Sequence, residues 1–199
     1  MASTPRSSTS ETILDAARAC LLDAGFAALT TRRVAERAGV HLSQIHYHFG
    51  SKETLVLRLL ETETDRLLAR QGRLFARDIP VSRRWTVACD YLDEDLSSGY
   101  VRVLQEMLAA GWSSDAIGSH VRTVLAGWAG RVLELVLDAE AAGVGFGALS
   151  ARDVATLVGA AFTGAEAMIL LGMESDQMPL RGALRRIGST LELVEGAAS

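Results

Sequence analysis

The sequence predicts an all-α protein, and three observations support this. Apolar residues recur three and four positions apart along most of the chain, which is the period of a helix with one buried face. Ala, Leu and Arg are abundant and only three prolines occur in 199 residues, so long helices meet few interruptions. No segment shows the sustained apolar–polar alternation of a half-buried strand.

The composition limits the class of protein. With 199 residues, 49% of them hydrophobic, the chain can form one large domain, or a small domain and a larger one, without disulfides. Its two cysteines, Cys20 and Cys89, lie in apolar helical patterns, which excludes a disulfide scaffold and a four-cysteine zinc site. The polar start is not a secretory signal, and the longest apolar stretch, 154–165, is too short to span a membrane. We therefore expect a cytoplasmic protein with no membrane partner.

Charge is distributed unevenly along the chain, whose net charge is −4. Residues 1–58 carry seven basic and five acidic side chains, whereas residues 59–199 carry 13 basic and 19 acidic ones. Lys52 is the only lysine. A slightly basic N-terminal segment suggests an anionic partner, although an excess of two charges does not establish one.

Residues 1–9 are expected to form a disordered tail, followed by a helix over 10–24. Ser10 is its expected N-cap. The helix is expected to end at Gly25, because glycine suits the left-handed conformation that follows many helix C-termini.

Two short helices are expected over 31–38 and 42–49, separated by Gly39. In the second, Ile45 and Phe49 are four residues apart, so both face the core. Its other side chains are mostly neutral hydrogen-bonding groups that face outward.

Longer helices are expected over 52–75, 81–97, 100–110, 114–142, 151–172 and 180–195. Glycine and proline separate most of them. Ser150 and Asp153 resemble a capping box, although Asp stands where Glu or Gln is usual.

Two short helices joined by a glycine-containing turn of about four residues have the spacing of a helix-turn-helix. In that motif the second helix buries one side and presents the other to the major groove, which is about 12 Å wide and admits one helix. Ile45 and Phe49 supply the buried side, and Ser, Gln, His and Tyr side chains supply the other. The pattern therefore predicts DNA binding through residues 42–49.

Over about residues 10–60 the chain resembles the N-terminal domain of the TetR family of transcriptional repressors. The most specific matches are 29–35 (LTTRRVA), 38–40 (AGV) and 45–53 (IHYHFGSKE). In the family the last segment usually reads Leu-Tyr-x-His-Phe-x-Ser/Asn-Lys-Glu. Several spaced segments agree, which makes the resemblance specific.

Three positions depart from the family pattern. His41 stands where Ser or Thr usually caps the recognition helix, and His is a poor N-cap. Ser43 stands where Gly is frequent, and His46 replaces the first aromatic residue of the usual pair. The last two changes alter the DNA-facing surface and hence the bases that are read.

The resemblance implies a helix-turn-helix domain at 10–55 and a larger helical ligand-binding and dimerisation domain at 56–199. It implies DNA contacts at Thr30, Thr31, Arg32, Leu42, Ser43, Gln44, His46, Tyr47, His48 and Lys52. The two threonines start a helix, where hydroxyl and backbone N–H groups can meet a phosphate. Residues 42–44 are the expected base readers, and Lys52 is expected to bind a phosphate.

The larger domain of the family encloses a small-molecule pocket, lined by apolar and aromatic side chains with a few polar groups. Tyr100, Trp112, His120 and Trp128 each combine an apolar body with a polar atom, so we expect them to contact the ligand. An ordinary core role is the alternative for each.

The last two helices are expected to form a homodimer interface of four helices. Small residues that permit close helix approach, and apolar residues beside them, are Gly159, Ala160, Ala161, Gly164, Ala165, Leu157, Phe162, Leu184, Ile187, Leu191 and Val194. A monomer core is the alternative, because helix packing looks alike in both settings.

Other sites receive less support. His46 and His48 are two residues apart on a helix and point in different directions, which disfavours a shared metal ion. Residues 143–148 (GVGFGA) fit a dinucleotide fingerprint but follow a helix, so we interpret them as an interhelix loop. No nucleophile elbow occurs. We expect no cofactor, no metal and no catalytic residue; a solvated face is the alternative for Arg32 and its neighbours.

We therefore expect a ligand-responsive, dimeric transcriptional regulator that represses by binding a palindromic double-stranded operator and is released by a small apolar or amphipathic effector. The alternatives are a helical small-molecule-binding protein or enzyme with a vestigial DNA-binding domain, and a protein-interaction module. The helix over 52–75 is the expected mechanical link, as the only covalent connection between the two parts.

Overall fold

The computed structural model of the chain describes residues 8–75 and 79–197. These ranges contain helices and no strand, which confirms the all-α prediction. In chain order the helices are α1 (Thr9–Ala28), α2 (Thr31–Ala38), α3 (Leu42–Phe49), α4 (Lys52–Phe75), α5 (Val81–Ser98), α6 (Tyr100–Gly111), α7 (Asp115–Ala141), α8 (Ala151–Leu170) and α9 (Leu180–Ala197). The predicted bounds of α2, α3 and α4 are confirmed, and those of α5 to α9 agree within two residues.

The start of α1 differs from the prediction. Ser8, not Ser10, is the N-cap: its hydroxyl accepts from the Glu11 N–H at 3.2 Å, and its own N–H donates to the Glu11 carboxylate at 2.7 Å. Ser8 caps the helix in place of Ser10 because an acidic residue, Glu11, lies three positions after it and completes a reciprocal capping box. The predicted tail over 1–9 otherwise falls on residues 1–7, outside the described residues.

The predicted cap of α8 forms, whereas Gly25 interrupts α1 without ending it as predicted. Gly25 breaks α1 with φ 76° and ψ 172°, and a last turn continues to Ala28. Ser150 and Asp153 make the predicted capping box of α8, with both reciprocal hydrogen bonds present. Asp therefore serves here where Glu or Gln is usual.

Contacts divide the chain into two compact units. The first extends to Asp65 and also contains Arg102–Val121; the second contains Arg66–Val101 and the residues from Arg122 onward. Since α4, α6 and α7 each contribute residues to both units, three helices connect these units, whose bounds differ from those of the predicted domains at 10–55 and 56–199. Residues 102–121 return to the first unit, a contact at long sequence separation.

The core of the first unit is aliphatic. Its fully buried large side chains are Ile13, Leu21, Leu29, Val34, Ile45, Leu55, Val56, Leu59, Leu60, Met107 and Ile117. They come from α1, α2 and α3, from Leu29 between α1 and α2, from α4 and from the returning segment. This packing fixes α2 and α3 to the rest of the unit.

The second unit is built around Trp85 of α5. Its ring packs edge-on against Phe162 at 5.6 Å between centroids, and Phe162 packs in the same way against Trp128. The Trp85 indole N–H donates to the Leu184 carbonyl at 2.7 Å. These contacts tie α5, α7, α8 and α9 together.

Among the described residues, α8 is the one helix long and apolar enough to cross a membrane, with a mean hydropathy of 1.4 over 18 residues. A single such helix is a weak indication, since core helices pass the same test. Only 17% of that window is buried within the chain. The helix thus leaves much of its apolar surface uncovered.

Candidate DNA-binding surface

The start of α2 is fixed by local hydrogen bonding. Thr30 is the N-cap, and its hydroxyl accepts from the Arg33 N–H at 3.2 Å. Thr30 is exposed and Thr31 is half-buried. The N–H groups of the first turn have no partner within a helix, so both predicted threonines lie where a phosphate could be bound.

The turn between α2 and α3 depends on Gly39. It adopts the left-handed conformation at φ 66° and ψ 30°. The N–H groups of Gly39 and Val40 donate to the carbonyls of Glu36 and Ala35, at 3.3 and 3.1 Å. This crossed pair closes α2 as a Schellman motif, and the chain then turns directly into α3.

The two sides of α3 have opposite character. Ile45 is completely buried and Phe49 is 7% exposed. The six other side chains are all exposed: Leu42, Ser43, Gln44, His46, Tyr47 and His48. Tyr47 is 82% exposed, which is unusual for a large aromatic residue. The helix α3 therefore presents all of its predicted DNA-contacting side chains to solvent, while Ile45 and Phe49 anchor its other face in the core.

The start and end of α3 differ in how they are held. His41 is the N-cap and its side chain makes no capping hydrogen bond, as expected for His. At the other end, His46 Nδ1 lies 3.0 Å from the Gly50 carbonyl oxygen. A carbonyl only accepts, so Nδ1 carries the proton in this contact. In the neutral tautomer that carries this proton, Nε2 is free of a proton and can accept a hydrogen bond.

Lys52 is bound to the protein itself. Its ammonium donates to the Phe26 carbonyl at 2.8 Å and lies 4.2 Å from the centroid of the Phe26 ring. Burial lowers the pKa of the Lys52 ammonium. The side chain is half-buried. The ammonium therefore has an internal role beside the predicted phosphate contact.

Two arginines of α2 have carboxylate neighbours. Arg32 is highly exposed and lies 3.5 Å from Glu36, one turn further along the helix. Arg37 pairs with Asp23 of α1, and that carboxylate raises the pKa of the Arg37 guanidinium. Arg37 thus ties α2 to α1, whereas the Arg32 pair is a surface contact of small energy.

Sequence reasoning missed Glu106 of α6. Its carboxylate accepts from the Phe26 N–H at 3.0 Å, directly after the break at Gly25. The two residues are 80 positions apart, and no sequence pattern connects them. The same segment contributes Ser114, whose hydroxyl donates to Glu53 in the first turn of α4.

The four predicted ligand residues are divided between the units. Tyr100 and Trp128 belong to the second unit, and Trp112 and His120 to the first. Tyr100 is 6% exposed, whereas Trp112 is 86% exposed at the end of α6. His120 Nδ1 lies 3.9 Å from a Glu61 carboxylate oxygen. In the second unit, the Trp128 ring packs against that of Phe162.

The described ranges hold no group of three or more His, Cys, Asp or Glu side chains arranged to bind a metal ion. Cys20 and Cys89 are both buried free thiols. Burial raises the pKa of the Cys89 thiol to about 11. Such a thiol is a poor nucleophile at neutral pH.

Comparisons with known proteins agree with this geometry. Residues 13–59 match the family described as bacterial regulatory proteins, tetR family. A relative from Bacillus subtilis strain 168, "Uncharacterized HTH-type transcriptional regulator YdeS", is 30% identical over 116 residues. That match covers 58% of this chain and 56% of the relative.

Solved structures share the fold over nearly the whole chain. A TetR transcription regulator from Haloarcula marismortui has a TM-score of 0.77 at 19% identity, covering 92% of this chain and 95% of that one. A transcriptional regulator FadR from Bacillus subtilis, in complex with stearoyl-CoA, has a TM-score of 0.73 at 14% identity, covering 92% and 96%.

The family match falls on the helices that carry the exposed α3 surface, and the shared fold extends to α9. The helix-turn-helix segment, residues 13–59, is thus similar to the bacterial regulatory proteins of the tetR family.

Proposed function

We propose that the chain is a dimeric transcriptional repressor that binds a palindromic operator and is released by a small apolar or amphipathic effector. It acts where the DNA is, in the cytoplasm. The observation that carries the proposal is α3, whose outward side chains are all exposed while Ile45 and Phe49 anchor it. Neutral donors and acceptors on a helix of this length suit base edges in the major groove.

The exposed faces of α8 and α9 support a homodimer. Leu157 is 58% exposed, Ile187 40% and Leu193 77%, and Ala160 and Ala161 are also exposed. Small residues allow close helix approach, and an apolar face of this extent on a soluble chain suggests a protein partner. The face is self-complementary if a two-fold axis pairs it with a second copy.

The predicted interface set needs one correction. Phe162, Ala165 and Leu184 are buried in the core of the chain itself, at 6% exposure each. They are covered by the chain itself, so the proposed interface is limited to the exposed members of the set.

An amphipathic effector is supported by the fold neighbour from Bacillus subtilis, a FadR regulator solved with stearoyl-CoA. In this chain, Trp128 and Tyr100 lie in the second unit and supply apolar surface with a polar atom. They remain our proposed ligand contacts there; Trp112 and His120 would contact a ligand only from the first unit.

A helical small-molecule-binding protein with a vestigial DNA-binding domain is the second candidate. The exposed polar face of α3 favours the transcriptional repressor, because a vestigial domain does not need five exposed hydrogen-bonding side chains on this helix. Neither candidate assigns a catalytic residue.

The proposal is tested by selecting duplexes from a random-sequence library with the full chain and sequencing the bound fraction. We expect enrichment of two inverted half-sites about one helical turn apart, 34–36 Å between centres, or a multiple of it. A control variant, Gln44→Ala with Tyr47→Ala, changes two exposed side chains and should enrich no such sequence. Failure of the wild-type chain to enrich any sequence would leave the second candidate.

A further inference from the structure

The turn after Gly25 is held by a side chain from a distant part of the sequence. The Phe26 N–H donates to Glu106 Oε2 at 3.0 Å. A Cβ at Gly25 would lie 3.0 Å from Glu106 Oε1 and 3.3 Å from Oε2, so the carboxylate is seated directly against the glycine. Both residues belong to the first unit.

The carbonyl group of Phe26 is held by a side chain of α4. The Phe26 carbonyl accepts from the Lys52 ammonium at 2.8 Å and from the Leu29 N–H at 3.2 Å. Side chains of α6 and α4 therefore fix the N–H and the C=O of Phe26, one carboxylate and one ammonium. Hydrogen bonds to charged groups are stronger than those between neutral groups.

The position of this turn determines where α2 begins. Leu29 follows it and is 1% exposed, and Thr30 is the N-cap of α2. Since α2 passes directly into α3 through Gly39, a displaced turn would displace α3. The contact between Ser114 and Glu53 gives the same segment a second point of attachment, in the first turn of α4.

We propose that Glu106 is a positioning residue for DNA binding, which holds the Gly25–Phe26 turn and thereby sets the orientation of α2 and α3. The inference rests on the proposed function. Glu106 touches no DNA in this account; it acts through the backbone of the turn. Residues 102–121 then contribute to DNA binding by supplying this carboxylate to the turn that precedes α2.

The direction of the change in DNA affinity distinguishes a positioning role of Glu106 from a purely electrostatic one. Removing a carboxylate from a protein that binds an anionic polymer strengthens binding through electrostatics alone. Loss of positioning weakens it. A weaker complex after Glu106→Ala therefore cannot arise from the change in net charge.

The variants are Glu106→Ala, Glu106→Asp and Glu106→Gln, with Glu140→Ala as control. Asp keeps the charge but is one methylene too short to reach the Phe26 N–H, whereas Gln keeps an acceptor of the same length. Glu140 is an exposed residue of α7 in the second unit, so its loss changes the net charge alone. Circular dichroism first establishes that each variant is folded.

Binding is measured on the duplex that the wild-type chain selects and on a scrambled duplex. We expect Glu106→Ala and Glu106→Asp to lose about three- to ten-fold affinity for the selected duplex, the range of one hydrogen bond. For the scrambled duplex, Glu106→Asp should bind as wild type and Glu106→Ala as wild type or tighter. Glu106→Gln should stay within about two-fold, and Glu140→Ala should bind as wild type or tighter. Retained affinity in both the Ala and Asp variants would overturn the inference.

Amide hydrogen exchange at Phe26, followed by NMR, gives a readout without DNA. It should be faster in Glu106→Ala and Glu106→Asp than in Glu106→Gln and wild type. Unchanged exchange would show that the turn does not depend on Glu106 and would overturn the inference while leaving the proposed function intact. If the wild-type chain selects no duplex, the proposed function itself fails and the inference with it.

Discussion

The ammonium of Lys52 donates a hydrogen bond to the backbone carbonyl of Phe26 and lies above the ring of the same residue. The only lysine of the chain thus closes the turn that precedes α2. A side chain held in this way reaches a fixed point on the surface with little entropy left to lose, which suits a phosphate contact.

Lys52→Met tests this double role, because Met keeps the apolar stem and removes the ammonium. We expect a loss of about 1–2 kcal/mol in the free energy of unfolding, since a charged hydrogen bond and a cation–π contact are both removed. Affinity should fall by the same factor for all DNA sequences, and the salt dependence should weaken by about one phosphate contact. Urea unfolding and a salt titration of binding measure the two effects; an unchanged salt slope would confine Lys52 to its internal role.

Gln44→Ala should act differently, because Gln44 is exposed on α3 and makes no described contact that the fold depends on. We expect stability to be unchanged and preference to be relaxed at one position in each half-site, at a cost of about 1–3 kcal/mol. Binding to a panel of single-base variants measures this. A uniform loss across the panel would assign Gln44 to the backbone and not to a base.

Gly25→Ala should be more destabilising than Gly39→Ala. Gly25 adopts φ 76° and ψ 172°, a region that is essentially restricted to glycine, and its new Cβ would meet Glu106. Gly39 adopts the milder left-handed helical conformation with open space around it. We expect about 1–3 kcal/mol for strain at Gly25 before the clash is added, and about 1 kcal/mol at Gly39. Equal losses in thermal or urea unfolding would mean that the Glu106 carboxylate moves aside freely.

Ala161→Arg should abolish the dimer while leaving each chain folded. Ala161 is exposed on the apolar face of α8, where a charged side chain would be desolvated by a second copy. Ala129→Arg, at an exposed position of α7, adds the same charge elsewhere and should stay dimeric. Light scattering at micromolar concentration measures the mass. A dimeric mass for Ala161→Arg would locate the interface on another face.

Local signals explain how much could be predicted from the sequence. The bounds of α2 and α3 follow from Thr30, Gly39 and Gly50, each of which acts within four residues of itself. The alternation of buried and exposed residues on α3 follows from helical spacing around Ile45 and Phe49. The surface that carries the proposed function was therefore predictable.

Contacts between distant residues were not predictable. Glu106 meets Phe26 only because residues 102–121 return to the first unit, and Lys52 reaches the Phe26 carbonyl from α4, 26 residues along the chain. Helical spacing does not indicate which apolar face of α8 is covered by the chain itself. The predicted dimer interface therefore contains both Phe162, which is buried, and Ala161, which is exposed. The exposure of Trp112 was not predictable either, because its sequence neighbours do not determine whether another part of the chain packs over it.

The central claim is sequence-specific DNA recognition by α3, and the ratio of two dissociation constants tests it most directly. The full chain is titrated with its selected duplex and with a scrambled duplex of the same composition, at one salt concentration near 150 mM. We predict that the selected duplex binds at least about 10³-fold more tightly, the lower end of the range for specific regulators. Equal affinities for the two duplexes would contradict the account and reduce the protein to a non-specific DNA binder.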